Sequence, residues 1–339
     1  MDKSAIKFYT LVNGKDESVK LCNFGAAILE INVKDKNGNI DNVAVAYPKI
    51  EDYFCDGPYL NRIPGRYSNR ICKGLFSLDG KEYKLSINNG ENHLHGGTNE
   101  ESYANRIWDS EQQGNKVVFS LFSPDGDAGY PGNVKIQAVY SFSDDSTLSL
   151  DITATTDAKT VINITHHLYV DLRGGKNKSS DGIRCHNLKL NCSRFLPTDS
   201  GLIPTGELAP VQGTPMDFTE FKALGKDLKA DFPALNYGKG YDACWAADVV
   251  DGTVKPIAKL CEPDFGRKMT VSTNRPAVQV YTGNWLGGSP SPKGIYNDYD
   301  GVAIECQDFP DGPNQPAFGY KPLEAGETYH NIIIWKFEI

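Results

Sequence analysis

Between residues 134 and 154 the chain alternates with a period of two. In KIQAVYSF, Ile136, Ala138, Tyr140 and Phe142 fall on one face; in TLSLDITA, Leu148, Leu150, Ile152 and Ala154 do the same. Successive strand side chains point to opposite sides, so this period predicts half-buried strands rather than helices. KVVFSLF, PAVQVYTG and the terminal NIIIWKFEI add β-branched and aromatic runs of strand length. Thirty-three glycines and nineteen prolines punctuate these segments in turns such as KNGN, LDGKEY, PDGDAGYPGN and DGPN. Helical periodicity is nearly absent; DFTEFKALGKDL, residues 217–228, has room for one short helix. The expected fold is all-β, a large sandwich or barrel with few short helices.

No Gly/Ser-rich linker, low-complexity tract or shift of composition divides the 339 residues. A single domain over 1–339 is expected, because all-β domains commonly exceed the usual size. RGGKNKSSDG, 173–182, reads as an exposed loop. The tripeptide Asn-Arg-Ile occurs at 61 and again at 69, which reads as coincidence among turn residues. A net charge of −8 argues against nucleic acid, whose phosphates require clustered Lys and Arg. No segment approaches the roughly 18 consecutive apolar residues of a membrane helix, and the first residues lack a signal-like apolar run. A cytoplasmic protein is therefore expected. Its eight cysteines, with no Cys-x-x-Cys pair, are expected as thiols.

Four stretches concentrate residues able to do chemistry. GRYSNRIC carries Asn69 and Arg70; NGENHLHGG carries His93 and His95; NITHHLYVDL carries His166, His167 and Asp171; GVAIECQDFPDGPNQP carries Glu305 directly after an apolar run. GYDACW adds Asp242. Glu305 stands where a half-buried strand turns a residue inward, and a buried carboxylate needs partners or a shifted pKa. His93 and His95 with Glu100 form His-x-His-x4-Glu, a spacing compatible with a metal and similar to part of the cupin motif. Ile87 occupies the place of that motif's glycine, however, and the turn YPGNVKIQ lacks the following histidine. No metal is expected.

Taken in order, these blocks resemble the aldose 1-epimerase family, the galactose mutarotases. GRYSNRICKGLFSLDGKEYKLSINNGENHLHGG is similar to the family's Arg turn, Phe strand and Leu-His-Gly-Gly; VINITHHLYVDL to its Asn-x-Thr-x-His-x-Tyr segment. VQVYTGNWL, GVAIECQDFPDGPNQPAF and LEAGETYHNIIIWKF are similar to its Gln, Glu and closing-strand blocks. The resemblance implies a galactose mutarotase-like supersandwich that needs no cofactor, exists as monomer or homodimer, and takes a free aldohexose such as galactose or glucose. It implies that Glu305 is the catalytic base, His167 the acid and His95 a supporting histidine. Asn69, Arg70, Asp242 and Gln279 would hold the sugar. The chain departs from the family at Tyr67, Ser68, His166 and Asp171, without losing a catalytic group.

Anomer exchange requires a base at the anomeric hydroxyl and an acid at the ring oxygen, each contributing roughly 10²–10⁴ in rate. A carboxylate nearby raises a histidine's pKa; Glu305, Asp242 and Asp171 are the candidates for that field at His167. Arg70 and His95 would steady charge at the ring oxygen, and Trp285 is a candidate platform for the sugar's apolar face. His93 is expected to be structural. The competing functions are a glycoside hydrolase using Asp242 and Glu305, a non-catalytic sugar-binding protein, and a phosphosugar epimerase, which needs basic residues not evident here.

Overall fold

The computed structural model describes residues 3–54, 56–175 and 182–339. Two antiparallel sheets dominate it. The larger has nine strands, with Thr328–Glu338 at its centre between Lys268–Thr273 and Thr147–Thr156. The smaller has six, in the order Tyr169–Val170, Val302–Gln307, Ala277–Tyr281, Asp242–Ala246, Arg194–Phe195, Ala209–Pro210. Four N-terminal strands from Phe8 to Asn42 form a further sheet. The alternating segments behave as their period predicts. Ile136, Ala138, Tyr140 and Phe142 are all buried, as are Leu148, Leu150, Ile152 and Ala154. They share one apolar core with Val278, Val280, Ile304 and Cys306 of the six-stranded sheet, so two sheets pack face to face as a sandwich.

The strand Val302–Gln307 is buried along its whole length. Val302, Ile304 and Cys306 enter the main core. Ala303, on the opposite face, joins a second core with Phe24, Val45 and Tyr169. Glu305 shares that opposite face by alternation. It therefore points away from the main core, yet remains covered. The register aligns Gln279 with Glu305 and Asp242 with Tyr281, so Asp242, Gln279 and Glu305 emerge on one side of three adjacent strands.

The segment carrying His167 is not a strand; buried polar side chains hold it. Asn331, from the longest strand, donates through Nδ2 to Ile164 O at 2.8 Å and to Cys306 O at 3.0 Å. Thr165 Oγ1 donates to Cys306 O at 2.6 Å. These bonds tie the His167 segment to the Glu305 strand.

The sequence expectation of a helix within 217–228 is corrected. That stretch is turns with a short strand, Lys222–Ala223, pairing to Asn187–Leu188. Phe218, Leu224 and Leu228 are buried, but a Cβ at Gly225 would lie 2.7 Å from Arg184 Cβ, so packing governs the path. The single α-helix among the described residues is Pro233–Gly238, where proline occupies the first turn. Residues 176–181 of the expected exposed loop lie outside the described residues. Its first residue, Arg173, is buried against Asp171. The helix is too short to cross a membrane, and no described helix is long and apolar enough to do so. All seven described cysteines are free thiols.

Two loops meet without side chains between them. A Cβ at Gly65 would lie 2.4 Å from His95 O, and one at Gly96 would lie 2.7 Å from Gly65 Cα. Gly65→Ala is expected to cost about 1–3 kcal/mol by overpacking, since the His95 turn must move to make room. Urea unfolding of the variant beside the parent protein checks this.

Candidate active site

The second of those loops opens the site. Asn69 and His95 both adopt left-handed backbone, with φ of 64° and 53°. They are joined reciprocally: His95 N–H donates to Asn69 O at 3.0 Å, and Asn69 N–H donates to His95 Nδ1 at 3.2 Å. Asn69 Oδ1 accepts from the Arg70 N–H at 2.8 Å. The side-chain amide of Asn69 is left to donate elsewhere. Arg70 is held on two sides, by Asn89 Oδ1 at 3.1 Å and by Asp242 at 3.9 Å.

These residues border a cleft of about 860 Å³, several times the volume of a hexose. Asn69, Arg70, His95, His167, Asp242 and Glu305 all line it. At its floor His167 Nε2 stands 3.5 Å from Glu305 Oε1. The His95 ring meets the His167 ring edge-on, with centroids 5.3 Å apart. Nitrogen and oxygen atoms of all three converge within 4.8 Å. Gln279 is not among the residues lining the cleft; it donates through Nε2 to Asp242 Oδ1 at 2.6 Å. Trp285 does line it, half exposed and stacked parallel to Tyr281.

Burial governs the protonation of the floor. Glu305 is 2% exposed; loss of water raises its pKa well above the usual carboxylate range, with Asp242 adding to the rise and Arg70 opposing it. Burial pulls His167 down to about 3, and Arg62 adds to the fall. His95 falls well below its ordinary value by burial, reinforced by His167 and Arg70. The expectation that carboxylates would hold His167 charged is therefore corrected: desolvation outweighs their field, and both shifts run against the charged forms of Glu305 and His167. Asp171 does not contribute to the cleft: it binds Arg173 at 2.9 and 3.0 Å and faces His186 at 3.4 Å.

The convergence of two imidazoles and a carboxylate resembles a metal-binding set, but the hydrogen bonds do not fit one. Because His95 Nδ1 accepts from Asn69, the neutral ring carries its proton on Nε2, leaving no lone pair there for a cation. No other described residue hydrogen-bonds His167 Nδ1, whereas metal-binding histidines are anchored through their second nitrogen. The arrangement makes His95 a donor into the cleft.

His93, two residues away, is structural: its ring nitrogens engage Ser86 O and the Tyr130 hydroxyl, each at 2.7 Å. The left-handed turn at His95 ends the strand, so the two imidazoles do not share a side, and Glu100 is exposed. His166 likewise does not border the cleft. It packs in the main core between Tyr140 and Trp335. Residues that sequence reasoning did not select also line the cleft, among them Tyr59, Asn89, Tyr169 and Tyr237. Tyr169 alone carried a signal, lying two positions beyond His167 in an extended segment.

An enclosed carboxyl facing an imidazole, with a second imidazole as donor, is equipment for acid–base chemistry on a polyhydroxylated ligand. A family model described as aldose 1-epimerase matches residues 7–335. The chain is 37% identical over 325 residues to the galactose mutarotase of Bos taurus, covering 95% of this chain and 91% of that protein. It is 35% identical to the aldose 1-epimerase of Haemophilus influenzae, covering 99% and 97%. In fold it is similar to a GalM/aldose epimerase homologue from C. elegans, with a TM-score of 0.88 and 24% identity over 98% of this chain and 99% of that one. The chain belongs to the aldose 1-epimerase family.

The placement of His166 yields a test. It is fully buried, and neither ring nitrogen makes a hydrogen bond of ordinary geometry. Removing an unsatisfied buried polar group relieves a penalty of about 1–3 kcal/mol. His166→Leu is expected to keep kcat within about threefold, since the ring does not reach the cleft, and to leave Tm unchanged or raised. Thermal unfolding with kinetics on the same preparation measures both.

Proposed function

We propose that this protein is an aldose 1-epimerase that interconverts the α and β anomers of a free aldohexose such as galactose or glucose. The observation that carries the reading is the 3.5 Å approach of His167 to Glu305 at the floor of the cleft. A substrate ring seated over this pair presents its anomeric hydroxyl to one group and its ring oxygen to the other.

Glu305 is the base and His167 the acid. On entry of the sugar the shared proton moves to His167, leaving a carboxylate beside an imidazolium without changing the net charge. Glu305 then takes the proton of the anomeric hydroxyl as His167 delivers its proton to the ring oxygen, and the C1–O5 bond breaks. Rotation about C1–C2 exposes the other face of the aldehyde. Ring closure reverses both transfers, so each turnover restores the starting protons. His95 and Arg70 stabilise negative charge at the opening ring oxygen, His95 by its Nε2–H. Asn69 donates to a hydroxyl, and Asp242, steadied by Gln279 and Arg70, accepts from others.

Asp242 is already committed to Gln279 and Arg70, which favours holding a sugar over service as a hydrolase's second carboxylate. The family match from 7 to 335 supports a single domain. Free cysteines support a reducing, cytoplasmic setting. We read the protein as a monomer or homodimer.

Polarimetry on freshly dissolved α-galactose and α-glucose tests the proposal. Glu305→Gln should lower kcat at least a hundredfold, about 3 kcal/mol, with the fold intact. A near-normal rate removes Glu305 from the mechanism, and release of monosaccharide from a disaccharide indicates a hydrolase instead.

The pH profile follows from the shared proton. Below the His167 value of about 3 the pair holds two protons and lacks a base. Above the raised Glu305 value it holds none and lacks an acid. Activity belongs to the one-proton state, and its limits are properties of the pair. kcat/KM should therefore be sustained well below pH 5 and fall on the alkaline side, beyond the ordinary carboxylate range. A rise in kcat/KM centred near pH 6.5, where an unperturbed imidazole titrates, contradicts this assignment.

A further inference from the structure

The mechanism requires His167 to become positively charged in a site whose burial opposes charge, and no other described residue hydrogen-bonds its Nδ1. A general acid of this kind is usually oriented through its second nitrogen. Here the ring is oriented by an aromatic face instead. The Tyr169 ring lies almost parallel to the His167 imidazole, with an interplanar angle of 19° and centroids 4.8 Å apart. Resting on the acid–base reading above, we propose that Tyr169 is a positioning residue for the acid: its π-face sets the plane of the His167 ring and stabilises the imidazolium that delivers the proton.

Tyr169 is built to hold that plane. It is 1% exposed, and its hydroxyl donates to Pro58 O at 3.0 Å. Its backbone N–H donates to Asn61 Oδ1 at 2.8 Å, and its strand pairs Tyr169 with Ala303, two residues from Glu305. Tyr281 meets it edge-on at 5.9 Å. The ring is thus clamped from the hydroxyl, the backbone and a neighbouring aromatic. In an extended segment residues two apart share a side, which brings Tyr169 under His167. The negative face of an aromatic ring attracts a cation within about 6 Å, and more strongly where water is excluded. Arg62 disfavours charge on His167, so the stack works against that field as the proton arrives.

The test grades the electron density of the ring while keeping its shape. Phenylalanine, then 4-fluoro-, 3,4,5-trifluoro- and pentafluorophenylalanine, are placed at position 169, and kcat and KM for α-galactose are measured for each. The expected result is a progressive fall in kcat, at least tenfold from phenylalanine to its pentafluoro analogue, with KM held within about threefold, as a weakened cation–π contact predicts. A residue that merely fills space gives the same kcat across the series. His167→Asn is measured beside it. A flat series with an inactive His167→Asn overturns the role of Tyr169 alone. An active His167→Asn variant overturns the assignment of the acid, and this proposal with it.

Discussion

A carboxyl and an imidazole enclosed together cannot readily take up net charge, and that constraint organises the site. With Glu305 and His167 almost without solvent, an isolated ion at either position costs several kcal/mol. Both groups are pushed away from their charged forms, and they stand 3.5 Å apart. In the proposed mechanism a proton of this pair passes across the sugar and returns, and the same desolvation strengthens the dipoles aimed at the ring oxygen.

Keeping that distance falls largely to buried polar side chains. Asn331 and Thr165 bridge the His167 segment to the Glu305 strand through Cys306 O. Two fully buried arginines fasten the loop before Asn69. Arg62 pairs with Asp56 and donates to Tyr53 O and Ala104 O. Arg66 donates to Pro131 O and Gly132 O while its guanidinium lies over Tyr130. Polar groups buried in this way are stable only when satisfied, which makes the loop rigid. The close approach of Gly65 to the His95 turn completes the arrangement by leaving no side chain between the two backbones.

Some of this was legible residue by residue. Period-two alternation assigned the faces of 136–142 and 148–154 correctly, because burial on one side of a strand forces the pattern. The Glu305 strand was less legible. Its carboxylate read as an inward residue, whereas it faces away from the main core and into the cleft beside His167, a placement that no local pattern reveals. The Asn-Arg-Ile tripeptides at 61 and 69 read as coincidence. In the structure Asn61 and Asn69 are both left-handed, and the arginine after each is buried against an aspartate, Asp56 and Asp242. The helix expected near 217 was displaced because its apolar residues answer to tertiary neighbours rather than to a helical face.

By itself the sequence determined the class of fold, through its alternation and turns, and the family, through blocks of residues kept in order. It also determined which chemical groups are available, since a side chain's identity does not depend on its neighbours. Only the tertiary structure decided that Asp171 turns to Arg173, that Gln279 stands behind Asp242 rather than in the cleft, and that an aromatic face lies under His167. Those outcomes depend on distances between residues far apart in the chain and on how much water remains around them, and neither quantity is local to any stretch of sequence.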